Sequence, residues 1–381
     1  MTRFLFASDS FKGTISSARA AELLAIAAHE TFPSVQTRCV EVADGGEGTV
    51  AAVVASAGGR KVDVRVTGPR GGAVDAAYGL LVDGRAVIEM AAASGLPLLA
   101  RKDCDPRKTS TYGVGELIRD ALDRGVRDVS LAIGGSATND GGMGCMRALG
   151  VRFLAEDGRE LAGTGEDLES VARVDLSAMD GRVAQTAFHV MCDVDNPLLG
   201  PRGATRVFGP QKGASPEVVE RLERGMENYA NVLGETVAGF DAQASGMGAA
   251  GGLGAAARAF LHAEMLPGIE QVLNLVGFDE LLSSCDLCVT GEGHADSQSA
   301  HGKVVSGVAA RCRAAGVPCV ALVGGMDADA IELLDCGVDA LVPAVIDVTS
   351  LDEALAHAER NYMLAARRLF SLLRIGRTLG S

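Results

Sequence analysis

Short, almost wholly apolar runs alternate along this chain with helical stretches, and glycine-rich loops join them. Arg3 to Ala7 ("RFLFA") reads as a buried strand. Behind it Ala20, Leu23, Leu24 and Ala27 repeat at i, i+3, i+4 and i+7, an amphipathic helix with Ser16 or Ser17 as N-cap. "TRCVEV" predicts a second strand that runs into Ala43-Asp44-Gly45-Gly46, and an Ala/Val-rich helix begins near Glu47. This succession is the βαβ rhythm of a parallel sheet, whose strands need a helical crossover between them. The rhythm returns late in the chain. "DLCVT" precedes a glycine loop and a helix from about Lys303, "PCVALVGG" precedes Ala328 to Leu334, and "DALVPAV" precedes a last long helix. Five such strands predict one doubly wound sheet built from both ends of the chain.

The middle reads differently. "AVDAAYGLLVDGRAVIEMA" holds two apolar runs joined by Asp83-Gly84, a hairpin signal. A helix from Gly113 to Arg124, the strand "DVSLAIGG" and a stretch rich in "GRE", "GTGE" and "DGR" turns follow. The expected fold class is therefore α/β: a Rossmann-like, doubly wound parallel domain from residues 1–65 plus 280–381, with a second α/β domain, 66–279, inserted into it.

Composition narrows the function. At 381 residues the chain is long enough for two cores, and 48% hydrophobic with 22% charged residues is ordinary for a globular enzyme. The net charge of −14, no Trp and four Tyr argue against nucleic-acid and anionic-membrane partners. Nine cysteines are irregularly spaced, and the single C-x-x-C, Cys285 and Cys288, lacks the further ligands of a zinc site. They read as thiols of a reducing cytosol. "MTRFLFASDS" is too short an apolar run for a signal peptide, so the expected location is cytoplasmic. Nothing in the sequence sets an oligomeric state.

Glycine is the outlier: 49 residues where average usage gives roughly 27. Three loops concentrate it, "VADGGEGT" from Val42, "AIGGSATNDGGMG" from Ala132 and "VTGEGHAD" from Val289. Such a loop between a buried strand and a helix brings backbone N–H groups and the helix dipole to an anion. None matches the P-loop or the dinucleotide fingerprint. Acids and lysines surround them: Asp9 and Lys12, Asp44 and Glu47, Asp140, then Asp193 and Asp195 after "AFHVM", Lys212 in "GPQKGA", and Glu292, Asp296 and Lys303 in "GEGHADSQSAHGK". Carboxylates at strand ends with lysines in glycine loops suit Mg-dependent phosphoryl transfer, which is mostly positioning and charge neutralisation. His294 and His301 sit beside the third loop and are candidates to line it. The histidines show no metal-binding spacing, and no G-x-S-x-G elbow is present.

Over almost its whole length the chain resembles the bacterial glycerate kinases of the type that forms 2-phosphoglycerate. The resemblance rests on "DSFKG" at Asp9, "VADGGEGT" at Val42, "IEMAAASGL" at Ile88, "TSTYGVGELI" at Thr109 and "IGGSATNDGG" at Ile133. It continues through "CDVDNPLLG" at Cys192, "FGPQKGA" at Phe208, "GAAGGLGAA" at Gly248 and "TGEGHADSQ" at Thr290. It implies ATP and Mg²⁺ as cofactors, glycerate as the small-molecule substrate, and an active site in the cleft between the two domains. On that reading Asp193, Lys12 and Lys303 are the catalytic candidates. Gly45, Gly46, Gly134, Gly135, Ser136, Gly291, Gly293 and His294 are the nucleotide contacts, and Asp9, Ser10, Asn139, Asp140 and Lys212 the substrate contacts. Asp44 and Asp296 are the metal ligands. The chain departs from the family at His294, where Arg or Lys is usual, at Ser299-Ala300 in place of Thr-Leu, and in lacking the Pro that follows Gly-Lys. A kinase for another small hydroxy acid, or a silent relative that only binds glycerate or nucleotide, are the alternatives.

Overall fold

The computed structural model describes residues 2–300 and 302–379. The chain divides into two compact units, one of residues 1–44, 55–57 and 268–381, the other of 45–54 and 58–267.

The first unit holds a five-stranded parallel sheet in the order Ala340–Pro343, Cys319–Val323, Leu287–Gly291, Arg3–Ser8, Gln36–Cys39. The three inner strands are buried on both faces, which is why they read as continuous apolar runs. Arg3–Ser8 pairs with Leu287–Gly291 in parallel, Phe6 opposite Val289 and Ser8 opposite Gly291. From Arg3–Ser8 the chain steps to one edge of the sheet, and from Leu287–Gly291 it steps to the other. The helices that follow take different partners: Ser17–Thr31 packs on Ala358–Leu379, and Val304–Ala315 on Gly268–Leu275. The strand order therefore reverses between these two neighbours. Ligands of open α/β sheets bind at such a reversal, outside the carboxyl ends of the strands. Ser16 caps the first helix by accepting the Arg19 N–H, and Ala20, Leu23, Leu24 and Ala27 are its buried stripe.

The second unit holds a six-stranded mixed sheet in the order Glu264–Leu266, Ala187–Met191, Asp128–Ala132, Ala86–Glu89, Ala73–Leu81, Gly59–Thr67. The first four run parallel and the last three form an antiparallel meander. Asp83-Gly84 does turn one hairpin, with Gly84 at φ +89°. The chain passes between units at Asp44–Gly45, briefly back and forth around Ala55–Ala57, and at Pro267–Gly268, where the sequence pattern expects two changes, at 65/66 and 279/280. The reason for the first is Gly59–Thr67, which pairs over its whole length with Ala73–Leu81. For the second it is the helix Gly268–Leu275, which packs on Val304–Ala315.

Candidate active site

In the first unit a cavity of about 640 Å³ opens at the reversal point, within the roughly 300–1,000 Å³ usual for ligand sites. The loop after Arg3–Ser8 supplies Asp9, Ser10 and Lys12, and the loop after Leu287–Gly291 supplies Glu292, Gly293 and His294. Asp44 and Lys303 complete the charged lining. Each stands just beyond a strand or at a helix start, because a parallel sheet sends all its strands out at one end.

The charges are tightly linked. Asp9 donates its backbone N–H to the Gly291 carbonyl at 2.8 Å, and its carboxylate accepts the Ser10 N–H at 2.7 Å. Burial pushes the Asp9 carboxyl up to about 6, with Asp44 adding to the rise and Ser10 and Lys12 opposing it. Glu292 is only 9% exposed, and burial raises its pKa too, against Ser299 and Lys303. Its Oε1 is buried without a hydrogen-bond partner. A buried carboxylate oxygen left unpaired is costly unless a cation or donor completes it. Lys303 is the N-cap of Val304–Ala315, where the first amide groups add positive potential beside its ammonium.

The cavity has a second character. Phe11, Ile15, Val345, Leu351, Leu355 and Tyr362 line it as well. Phe11 and Tyr362 meet edge to face, with centroids 5.0 Å apart.

In the second unit the loop after Asp128–Ala132 is held from inside. Asp140 is fully buried, and its carboxylate accepts from Thr111 N and Oγ1 and from the Gly142 and Gly144 amides at 2.7–3.2 Å. Burial raises its pKa against those four donors. The Lys212 ammonium is also buried, and donates to Ser136 Oγ at 2.9 Å and to the Thr138 carbonyl at 2.7 Å. Burial pushes it down to about 7, with the Asp140 charge opposing the fall. Asn139 donates to Thr205 Oγ1, and its own Oδ1 is buried without a partner. Gly134 and Gly135 are exposed, and a Cβ on Gly134 would lie 3.6 Å from Gly46 Cα. Two of the glycine loops thus lie side by side. Asp193 is exposed just past Ala187–Met191, the strand beside Asp128–Ala132.

The cavity of the first unit thus sets two lysines among three carboxylates, with an apolar wall beside them. The glycerate kinase family matches residues 4–374. The chain belongs to that family. It is 41% identical over 375 residues to the glycerate 2-kinase of Escherichia coli K12, covering 98% of each chain. It is also 41% identical over 378 residues to the glycerate kinase of Bacillus subtilis 168, covering 99% of each. A crystal structure from Salmonella typhimurium LT2, assigned there provisionally as glycerate kinase 2, superposes with a TM-score of 0.90 at 41% identity over 99% of both chains.

In this family member the cavity brings together Asp9, Ser10, Lys12, Asp44, Gly293, His294 and Lys303 of the residues singled out by sequence. Gly291 and Asp296 are not in its lining. Gly291 is a close-packing residue: a Cβ there would sit 1.9 Å from the Leu322 carbonyl oxygen of the adjacent strand. Asp296 turns its carboxylate onto the Ser299 N–H at 3.1 Å within its own turn. Against desolvation, the Lys303 charge and then that bond hold its pKa low. Asp140 and Lys212 spend their hydrogen bonds on the chain itself. The His294 ring lies 3.2 Å from the Asp327 carboxylate and is exposed; His301 lies outside the described residues. Pattern reading passed over Leu351, Leu355, Asn361 and Tyr362, which come from two helices far along the chain. It named Glu292 only in passing, since an orphaned oxygen leaves no mark in a sequence. Among the described residues one cluster has metal-like geometry, the buried thiols of Cys288, Cys312 and Cys319, with sulfurs within 4.8 Å of one another. It lies in the interior of the sheet and its helix, away from the cavity lining. Among the described residues no helix is long and apolar enough to cross a membrane.

Proposed function

We propose that this protein transfers the γ-phosphoryl group of ATP to the 2-hydroxyl of D-glycerate, giving 2-phosphoglycerate and ADP. The observation that carries the reading is the cavity at the strand-order reversal, where Lys12 and Lys303 face the carboxylates of Asp9, Asp44 and Glu292. Family membership supplies the substrate class. In the reaction the glycerate hydroxyl oxygen bonds to the γ-phosphorus, the bond from phosphorus to the bridging oxygen of ADP breaks, and the hydroxyl proton passes to a base. Lys12 and Lys303 offset the charge on the phosphoryl oxygens, and act most strongly where water is excluded. Asp44 and Glu292 suit a Mg²⁺ ion, the orphaned Glu292 Oε1 being the group that most needs one; bound there, the ion would neutralise phosphate charge.

The test is ADP release by the full-length protein with D-glycerate, its enantiomer and a panel of other small hydroxy acids. Phosphorus NMR of the product separates 2- from 3-phosphoglycerate. Faster turnover of another acid would move the assignment to that substrate. No acid-dependent ADP release would leave a binding protein.

A further inference from the structure

One helix of the first unit presents apolar side chains to water on the wall of a charged cavity. Leu351 is 73% exposed and Leu355 is 46% exposed, although both line it. They sit at i and i+4 of the helix Leu351–Ala356, so with Ala354 they form one face. The acidic residues between them, Asp352 and Glu353, are not in the lining. The lining also holds Ala358, small enough to leave room, and Asn361 with its side-chain amide. The buried Phe11–Tyr362 pair stiffens the floor. Phosphates need the lysine end; they have no use for leucines. Exposed leucines on a cavity wall gain burial energy when an apolar group covers them.

Building on the kinase reading, we propose that this face is the slot for the purine base of the nucleotide. The base lies against Leu351, Ala354 and Leu355, with Asn361 at its polar edge, while the triphosphate extends toward Lys12 and Lys303. No chemical step occurs in the slot. It sets which nucleotide is held and how tightly.

The experiment uses the full-length protein with Leu351→Ser and Leu355→Ser, neutral changes that leave the charge near the phosphates untouched. Both positions are exposed, so the melting midpoint should stay at the wild-type value; Leu351→Met should restore binding. The readouts are KM for ATP, KM for glycerate, the Kd of a ribose-labelled fluorescent ADP, and inhibition by inorganic tripolyphosphate, which has no base. The expected result is a rise of about tenfold in KM for ATP and in the Kd. The glycerate KM, kcat at saturating ATP and tripolyphosphate inhibition should be unchanged. Equal weakening of ATP and tripolyphosphate would overturn the slot, as would a higher glycerate KM or an unaltered Kd. The two readings fail separately. A wild type that binds the labelled ADP, loses it on Leu351→Ser, and shows no acid-dependent turnover keeps the slot and refutes the kinase. Normal turnover with unaltered nucleotide binding in both variants does the reverse.

Discussion

Replacing Lys212 by methionine removes a buried charge and keeps most of the side-chain volume, so it isolates the cost of that charge. In the folded chain burial takes the ammonium from its ordinary 10.5 down to about 7. The unfolded chain therefore binds more protons than the folded one between these values, and stability must rise with pH across that window. Linkage puts the cost of the depressed pKa at about 4 kcal/mol at pH 7 and about 2 kcal/mol at pH 9, vanishing beyond the unfolded value. Relative to Lys212→Met, the wild type should thus gain about 2 kcal/mol between pH 7 and pH 9. The comparison is made by urea unfolding at half-unit steps of pH, followed by circular dichroism because the chain has no tryptophan. Taking the difference between the two proteins cancels every group that titrates alike in both. A flat difference would refute the argument, since it would mean that Ser136, Thr138 and Asp140 keep the buried ammonium charged at no net cost. A difference of the opposite slope would mean that the folded chain holds the proton more tightly than the unfolded one.

Three further outcomes follow from the first unit. Lys303→Ala should lower kcat by some 10²–10³, a loss of roughly 3–4 kcal/mol of transition-state stabilisation, with an unchanged melting midpoint; wild-type turnover would make Lys303 a solvated helix residue. Asp9 should titrate near 6, so its charge beside Lys12 forms as pH rises through 6; kcat/KM should climb over that range, and Asp9→Asn should remove the rise. Gly291→Ala forces its Cβ to within 1.9 Å of the Leu322 carbonyl and should cost about 3 kcal/mol or more; an unaltered urea midpoint would show that the strands can part cheaply.

How far the sequence reaches can be seen residue by residue. Phe4 to Ala7 and Leu287 to Thr290 are legible because inner parallel strands are apolar on both faces, and Lys12 and Lys303 are legible because they follow such runs. The strand Gly59–Thr67 was legible too and was missed: Val62, Val64 and Val66 alternate with charged neighbours, the period of a half-buried strand. The helix Pro216–Thr236 likewise carries its own start signal, Ser215 as cap and Pro216 in the first turn. Asp140 carries a structural duty that its sequence context does not show. An acid in a glycine loop looks chemical, yet this one accepts two of the loop's own amides, Gly142 and Gly144, and both donors of Thr111. The apolar wall was out of reach because Leu351 and Leu355 acquire meaning only opposite residues more than 300 positions away.

The pairing of Arg3–Ser8 with Leu287–Gly291 also has a consequence for synthesis. The Thr290 hydroxyl that donates to the Ala7 carbonyl is 283 residues downstream of it. At roughly 5–20 residues per second a ribosome needs about 15–60 s to deliver the second strand after the first. Through that interval the nascent chain carries Phe4, Leu5 and Phe6 on a strand with one long edge unpaired, and the whole second unit is made before the partner strand arrives. An apolar strand waiting that long for its neighbour is a natural client for a chaperone at the ribosome exit. Moving residues 1–44 to the far end of the gene by circular permutation would shorten the wait to the length of a linker.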